Sequence, residues 1–91
     1  MLKKLEIIVI GRVQGIGYRA FTIRVAENLD IKGSVRNLSN GNVQVIAIGE
    51  EENMEQFIEK LKKGPTFSLV QKVKIREIET TEPYKDFRVE F

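Results

Sequence analysis

Hydrophobic and polar residues follow two different spacings in the first third of the chain. Residues 5–10 are mostly β-branched and apolar, which is typical of a central β-strand, and the glycine-rich segment 11–17 ends that strand. From Tyr18 onward, apolar residues recur at helical spacing, which predicts an amphipathic helix of about three turns. We expect this helix to end near Asp30.

A β-hairpin is predicted in the next segment. Residues 33–38 and 42–48 have the composition of strands, and Ser39-Asn40-Gly41 separates them. Asn-Gly readily adopts the positive φ values that a tight hairpin turn requires. The two strands are therefore expected to pair with each other.

A second helix follows the hairpin, because four apolar residues recur at helical spacing: Met54, Phe57, Ile58 and Leu61. Acidic residues 50–52 precede the first turn, lysines occupy the last turn, and the Gly-Pro pair at 64–65 is a common helix stop. Residues 70–78 and 87–91 then alternate between polar and apolar, which predicts two closing strands around a connection at 80–86.

The predicted order is β-α-β-β-α-β with a short final strand, which is the split β-α-β or ferredoxin-like pattern of α+β proteins. We expect an antiparallel sheet with both helices on one face. Ninety-one residues bury one modest core, so we expect a single domain over residues 1–91. Enzymes, RNA-binding modules and sensor domains share this fold, so it does not decide the function alone.

The amino-acid composition excludes several kinds of catalytic and metal-binding site. The chain has 42% hydrophobic and 31% charged residues, as ordinary soluble domains do, and it contains no Cys and no His. Disulfides, thiolate nucleophiles, imidazole bases and Cys/His metal sites are therefore excluded. Asp30 and Asp86 are the only aspartates, and they form no Asp-x-Asp pair that could hold magnesium. We expect neither a metal site nor a cofactor.

The charge and hydropathy of the sequence limit the kinds of partner that we expect the protein to bind. No apolar segment approaches the roughly 20 residues that span a bilayer, and no charged-then-apolar leader opens the sequence, so we expect a cytoplasmic protein without membrane contact. Residues 1–49 carry seven Lys/Arg and three Asp/Glu (+4), whereas residues 50–91 carry eight and ten (−2). The net positive charge of residues 1–49 therefore favours the binding of an anion by the first half of the chain. The total charge of +2 is small for a nucleic-acid-binding domain.

Residues 11–19, Gly-Arg-Val-Gln-Gly-Ile-Gly-Tyr-Arg, lie between the first strand and the first helix. Backbone N–H groups and the positive end of a helix dipole can converge on an anion there. Gly15 and Gly17 allow the backbone to approach closely, and the planar guanidinium of Arg19 can bond two phosphate oxygens. The alternative is that the glycines only turn the chain and that Arg19 is a solvated cation.

Asn37 lies within a predicted short strand, where Asn is disfavoured because its amide competes with the backbone hydrogen bonds. Such a residue suggests a local role, although the alternative is that Asn37 only starts or kinks the hairpin. Arg12, Arg24 and Arg36 are expected to be surface charges, with Arg36 projecting opposite to its neighbour Asn37.

Together, residues 11–19 and residues 33–49, Gly-Ser-Val-Arg-Asn-Leu-Ser-Asn-Gly-Asn-Val-Gln-Val-Ile-Ala-Ile-Gly, resemble the two signature motifs of the acylphosphatase family. The order of the motifs and the predicted frame also agree, so the resemblance covers nearly the whole chain. It implies a metal-free hydrolase without a cofactor or a phosphoenzyme, which cleaves the carboxyl–phosphate bond of acyl phosphates. By the same resemblance, Arg19 binds the phosphate and Asn37 orients the attacking water. The implied substrate-binding loop comprises Gln14, Gly15, Ile16, Gly17, Tyr18 and Arg19.

Two positions depart from the family pattern. Ser34 stands where an aromatic residue is usual, and Tyr18 replaces the more frequent Phe. We expect Ser34 to alter the packing under the hairpin or the rim of the substrate site, and not the chemistry.

The implied reaction suits a chain without His, because the carboxylate leaving group of an acyl phosphate needs no general acid. Backbone amides and Arg19 can stabilise the charge on the phosphoryl oxygens. The expected ligands are a small acyl phosphate and inorganic phosphate, and we expect a monomer that binds no nucleic acid.

Three alternatives remain open. The first is a module that handles carbamoyl phosphate, such as the first domain of hydrogenase-maturation carbamoyltransferases. The others are non-catalytic ferredoxin-like domains that bind RNA or sense a small molecule. An RNA-binding domain of this fold should carry aromatic residues on its central strands for base stacking, and the first strand has none.

Overall fold

The computed structural model describes residues 1–79 and 82–91, and in them the chain forms five strands and two helices in the predicted order. The elements are β1 (Leu2–Arg12), α1 (Tyr18–Asn28), β2 (Lys32–Asn37), β3 (Val43–Glu50), α2 (Glu51–Lys63), β4 (Leu69–Glu77) and β5 (Phe87–Val89). The predicted ferredoxin-like α+β architecture is thus confirmed. Of the predicted connection at 80–86, Thr80 and Thr81 lie outside the described residues.

The strands form one open sheet in the order β4-β1-β3-β2-β5. The predicted antiparallel pairing is confirmed for the four longer strands, whereas β5 pairs in parallel with β2, so the sheet is mixed. The direction of β5 follows from the topology. Because β4 ends at the edge of the sheet where β2 begins, a strand that starts from that edge runs alongside β2 in the same direction.

The first strand is longer than the predicted residues 5–10 at both ends, and at its second end Gly11 continues the strand instead of ending it. The register of β1 against β4 shifts between Ile10 and Gly11, and the strand then runs on to Arg12. Gly11 has φ 144°, and a Cβ at this position would lie 2.0 Å from the carbonyl oxygen of Leu69. Only glycine allows the two backbones to approach this closely at the bulge.

Both helices pack on one face of the sheet, as predicted. Helix α1 lies on β2 and β5, and helix α2 lies on β1, β3 and β4. Alternate strand residues are buried beneath them, as the two-residue period of a strand requires: Leu5, Ile7 and Val9 in β1, and Val43, Val45 and Ala47 in β3. Phe57 and Leu61 of α2 close this core from above.

Tyr18 connects the start of α1 to the end of α2. Its side chain is 1% exposed, and its hydroxyl donates a 2.7 Å hydrogen bond to the carbonyl of Leu61. That carbonyl has no helical partner, because the residue four positions later is Pro65, which lacks an N–H. Burial raises the pKa of the Tyr18 phenol, so the hydroxyl stays protonated and continues to donate. A phenylalanine here would leave the carbonyl unpaired.

We therefore predict that Tyr18→Phe lowers the free energy of unfolding by about 1–3 kcal/mol, the usual cost of leaving a buried acceptor unpaired. Urea denaturation of the two proteins measures this difference. Tyr84→Phe is the control, because Tyr84 is only half-buried, and its cost should be smaller. Equal stability of Tyr18→Phe and the unmodified protein would contradict the assigned role of the hydroxyl.

Candidate functional site

The strand directions bring two connecting segments to the same edge of the sheet. Strands β1 and β2 each pair in antiparallel orientation with β3, which lies between them, so they run in the same direction and end at the same edge. The loop at residues 13–17 follows β1, and the turn at residues 38–42 follows β2. The two predicted site segments are therefore neighbours, although about 20 residues of helix and strand separate them in the sequence.

Gln14 fixes these two segments to each other. Its side-chain Nε2 donates hydrogen bonds of 2.8 Å to the carbonyls of Leu38 and of Asn42. A glutamine amide has two N–H donors, so a single side chain satisfies both carbonyls. Gln14 was predicted as part of the substrate-binding loop through its backbone amide, and the hairpin contact, which uses its side chain, leaves that prediction untested. The sequence carries no local signal for this contact, because the partners lie 24 and 28 positions away.

The N-terminus of α1 is open toward solvent. Gly17 forms the N-cap with φ 83° and ψ 16°, and the helix has neither a side-chain cap nor an acidic residue in its first turn. Gly15 also has a positive φ of 76°, and a Cβ on either glycine would meet no atom within 4 Å. Among the described residues, no N–H of residues 14–19 donates a backbone hydrogen bond outside the helices and strands. Unpaired N–H groups and the helix dipole together favour a bound anion.

A cavity of about 300 Å³ adjoins this helix end. Its walls are formed by Val13, Gly15, Gly17, Tyr18, Arg19, Ala20, Ile23, Asn37, Val89 and Phe91. The cavity thus brings Arg19 and Asn37 together with three further predicted residues, Gly15, Gly17 and Tyr18. The other two predicted residues are not in its wall, since Gln14 bonds the hairpin and the Ile16 side chain packs against the core.

Arg19 has an unneutralised charge. None of the ion pairs formed by residues 1–79 and 82–91 includes it. Its guanidinium carbon lies 5.4 Å from the centroid of the Phe91 ring, which is a cation–π distance. A ring stabilises a cation without occupying its N–H donors, so the guanidinium can still bond an anion.

Asn37, at the end of β2, has a buried side-chain oxygen, and among the described residues this Oδ1 has no hydrogen-bond partner. The turn beside it is held by other groups, since Leu38 N–H bonds the Asn42 carbonyl at 2.8 Å and Asn42 N–H bonds Asn40 Oδ1 at 3.0 Å. Gln14 supplies the remaining bonds. The hairpin therefore does not depend on the Asn37 oxygen, which weakens the alternative that Asn37 has only a turn-forming role.

The remaining arginines of the first half are on the surface, as predicted. Arg12, Arg24 and Arg36 are exposed, and Arg36 Nε donates to Gln44 Oε1 at 2.7 Å. Ser34, which replaces an aromatic residue of the family pattern, is 6% exposed and pairs across the sheet with Ile46. It is not among the residues that line the cavity.

Two further properties concern the described part of the chain. In residues 1–79 and 82–91, no three His, Cys, Asp or Glu side chains lie close enough together to hold a metal ion. Neither α1 nor α2 is long and apolar enough to cross a membrane.

Comparison with known proteins identifies close relatives over nearly the full length. The family model described as Acylphosphatase matches residues 5–89. The acylphosphatase of Archaeoglobus fulgidus is 45% identical over 87 residues, which cover 96% of this chain and 97% of that protein. The crystal structure of the acylphosphatase from Bacillus subtilis superposes with a TM-score of 0.93 at 35% identity and covers all of both chains.

A larger protein also contains this fold. HypF from T. kodakarensis is similar with a TM-score of 0.88 and 31% identity over 98% of this chain. The match covers only 12% of the HypF chain. The similarity is thus to one small part of a much longer protein.

The contact between Gln14 and the hairpin yields a stability prediction. In Gln14→Glu, both carbonyls lose their donor and face a carboxylate, so we expect the free energy of unfolding to fall by at least about 2 kcal/mol. Gln71→Glu is the matched control, because it makes the same chemical change at an exposed residue of the edge strand β4, where about 0.5 kcal/mol or less is expected. Urea denaturation of both variants measures these changes in the free energy of unfolding. Equal small decreases in the two variants would show that the two Gln14 hydrogen bonds do not stabilise the fold.

Proposed function

Since the chain belongs to the acylphosphatase family and is a hydrolase of acyl phosphates, we propose that Arg19 and the loop amides hold the phosphate while Asn37 positions the attacking water. We also propose that residues 1–91 act as one domain, as a cytoplasmic monomer and without a metal ion or cofactor. The observation that carries the assignment is the unpaired, buried Oδ1 of Asn37 in the wall of the cavity that also contains Arg19.

The phosphate would bind at the start of α1. There the free N–H groups, the helix dipole and the unpaired guanidinium of Arg19 all favour negative charge. Phosphoryl transfer depends mainly on position and on stabilising the equatorial oxygens, and fixed N–H donors supply both. Gly15 and Gly17 have positive φ values, which glycine adopts without strain, and they would let the loop backbone approach the phosphate closely.

The water would bind at Asn37. A buried acceptor without a partner costs about 1–3 kcal/mol, and a water molecule that donates one O–H to Oδ1 removes that cost. The lone pair of the water then remains free to attack phosphorus. Asn37 cannot accept a proton, so the proton of the water passes to a phosphate oxygen as the new P–O bond forms. The bond between phosphorus and the carboxyl oxygen breaks, and the carboxylate leaves with its electron pair and needs no acid.

The alternatives have less support. The central strands β1 and β3 contain no aromatic residue, so the open face of the sheet lacks the stacking platform of an RNA-binding domain. A carbamoyl-phosphate module is chemically more similar to the proposed enzyme, because carbamoyl phosphate has the same carbonyl–oxygen–phosphorus linkage as an acyl phosphate. The identity to HypF is 31%, however, whereas the identity to the acylphosphatase of Archaeoglobus fulgidus is 45%.

Because Arg19 and Asn37 have different proposed roles, their substitutions should cause different kinetic defects. Asn37→Ala should lower the turnover of benzoyl phosphate by about 10²-fold or more, because one positioned polar group is lost at the reacting centre. Competitive inhibition by inorganic phosphate should stay nearly unchanged, since the loop and Arg19 are intact. Both quantities are to be measured on the same folded sample with EDTA present.

Arg19→Lys is the matched comparison in this experiment. A lysine keeps the charge and loses the two parallel N–H bonds of the guanidinium, so turnover and phosphate inhibition should weaken together. Normal turnover in Asn37→Ala, or a phosphate affinity that falls in step with turnover there, would refute the role of Asn37. Dependence of the unmodified protein on an added divalent ion would refute the metal-independent mechanism.

A further inference from the structure

The cavity has a polar and an apolar part, and the proposed mechanism uses only the polar part. The phosphate and the water occupy the part formed by the glycine loop, Arg19 and Asn37. The remaining wall consists of hydrocarbon side chains, chiefly Ile23, Val89 and Phe91. An acyl phosphate also has a polar and an apolar part, because the charged phosphate is joined to an acyl group of variable size.

The apolar wall is adjacent to the phosphate-binding residues. Ile23 lies one helical turn after Arg19 in α1, so the two side chains project from the same face of the helix. Val89 ends strand β5, where it pairs with Val35 of β2. Strand β5 ends at Val89, two residues before the predicted strand end, and Phe91 follows it and lines the same cavity as Asn37.

Phe91 has the exposure expected of a ligand contact and not of a core residue. The side chain is fully exposed, whereas Phe57 and Phe87 are buried in the core. Its ring contacts the guanidinium of Arg19 and lines the cavity that contains Asn37. Nothing in the described part of the chain covers the ring, so the acyl group of a bound substrate can pack on it and remove apolar surface from water.

We propose that Ile23, Val89 and Phe91 form an acyl-group subsite, which selects acyl phosphates with aromatic or branched apolar acyl groups over those with small ones. This inference rests on the proposed function, because it takes the phosphate to lie at Arg19. The expected selectivity between large and small acyl groups can be estimated from the selectivity of enclosed hydrophobic pockets. A single methylene in an enclosed pocket changes selectivity by at least about tenfold, and a ring on this half-open wall should give about the same in total.

The test uses two ligands that bind without being hydrolysed. Benzoylphosphonate and acetylphosphonate carry a P–C bond in place of the scissile P–O bond, so they share the phosphonate group and differ only in the acyl group. Calorimetric titration of the unmodified protein should show benzoylphosphonate binding about tenfold more tightly. In Phe91→Ala, the ratio of the two dissociation constants should fall to about two, because acetylphosphonate should weaken much less than benzoylphosphonate.

Phe67→Ala is the matched control, because it removes another exposed phenylalanine that does not line the cavity, and it should leave the ratio unchanged. A ratio near one in the unmodified protein, or an unchanged ratio in Phe91→Ala, would overturn the subsite. Equal weakening of both ligands in Phe91→Ala would overturn it as well, because it would mean that the ring only supports Arg19.

Turnover separates this inference from the function on which it rests. If the unmodified protein hydrolyses acetyl phosphate and the binding ratio is insensitive to Phe91, the subsite fails and the proposed function stands. If the two phosphonates are discriminated through Phe91 and neither acetyl nor benzoyl phosphate is hydrolysed, the subsite stands and the proposed function fails.

Discussion

The site depends on β1 and β2 running in the same direction on either side of β3. This arrangement sets the end of β1, the end of β2 and the start of α1 at one edge of the sheet. The glycine loop and the hairpin turn therefore meet there, and the Gln14 side chain bonds one to the other through two 2.8 Å hydrogen bonds. Arg19 and Asn37 face a common cavity because this edge is fixed, and Phe91 reaches it because β5 runs parallel to β2.

The chemistry requires few residues because the substrate is already activated. A carboxylate is a stable leaving group, so the protein needs to hold the phosphate, stabilise its charge and supply a positioned water. An uncapped helix end with one unpaired arginine can do the first two, and an asparagine with a free oxygen can do the third. The absence of a side-chain cap on α1 would be a stability defect elsewhere. Here it leaves the N–H groups of the first turn available to an anion.

The sequence predicted the elements well, because each depends on local spacing and turn chemistry. Gly11 was an exception, since its close contact with the Leu69 carbonyl turns a predicted strand end into a bulge. The residues of the site were predictable as two separate segments, and only the resemblance to a family joined them. The contacts of Gln14 with the hairpin and of Tyr18 with Leu61 were not predictable. Each connects residues that are more than 20 positions apart, and neither side chain is unusual in its local sequence.

The proposed mechanism requires an anion to bind at the start of α1, and an NMR titration with inorganic phosphate tests this binding. The amide signals of residues 15–19 should shift together and saturate at one phosphate per chain, because these N–H groups gain a charged acceptor. Arg19→Lys should weaken that saturation without moving it to other residues. Shifts centred on a different surface, such as the lysines at the end of α2, or no saturable shift at all, would contradict anion binding at the start of α1.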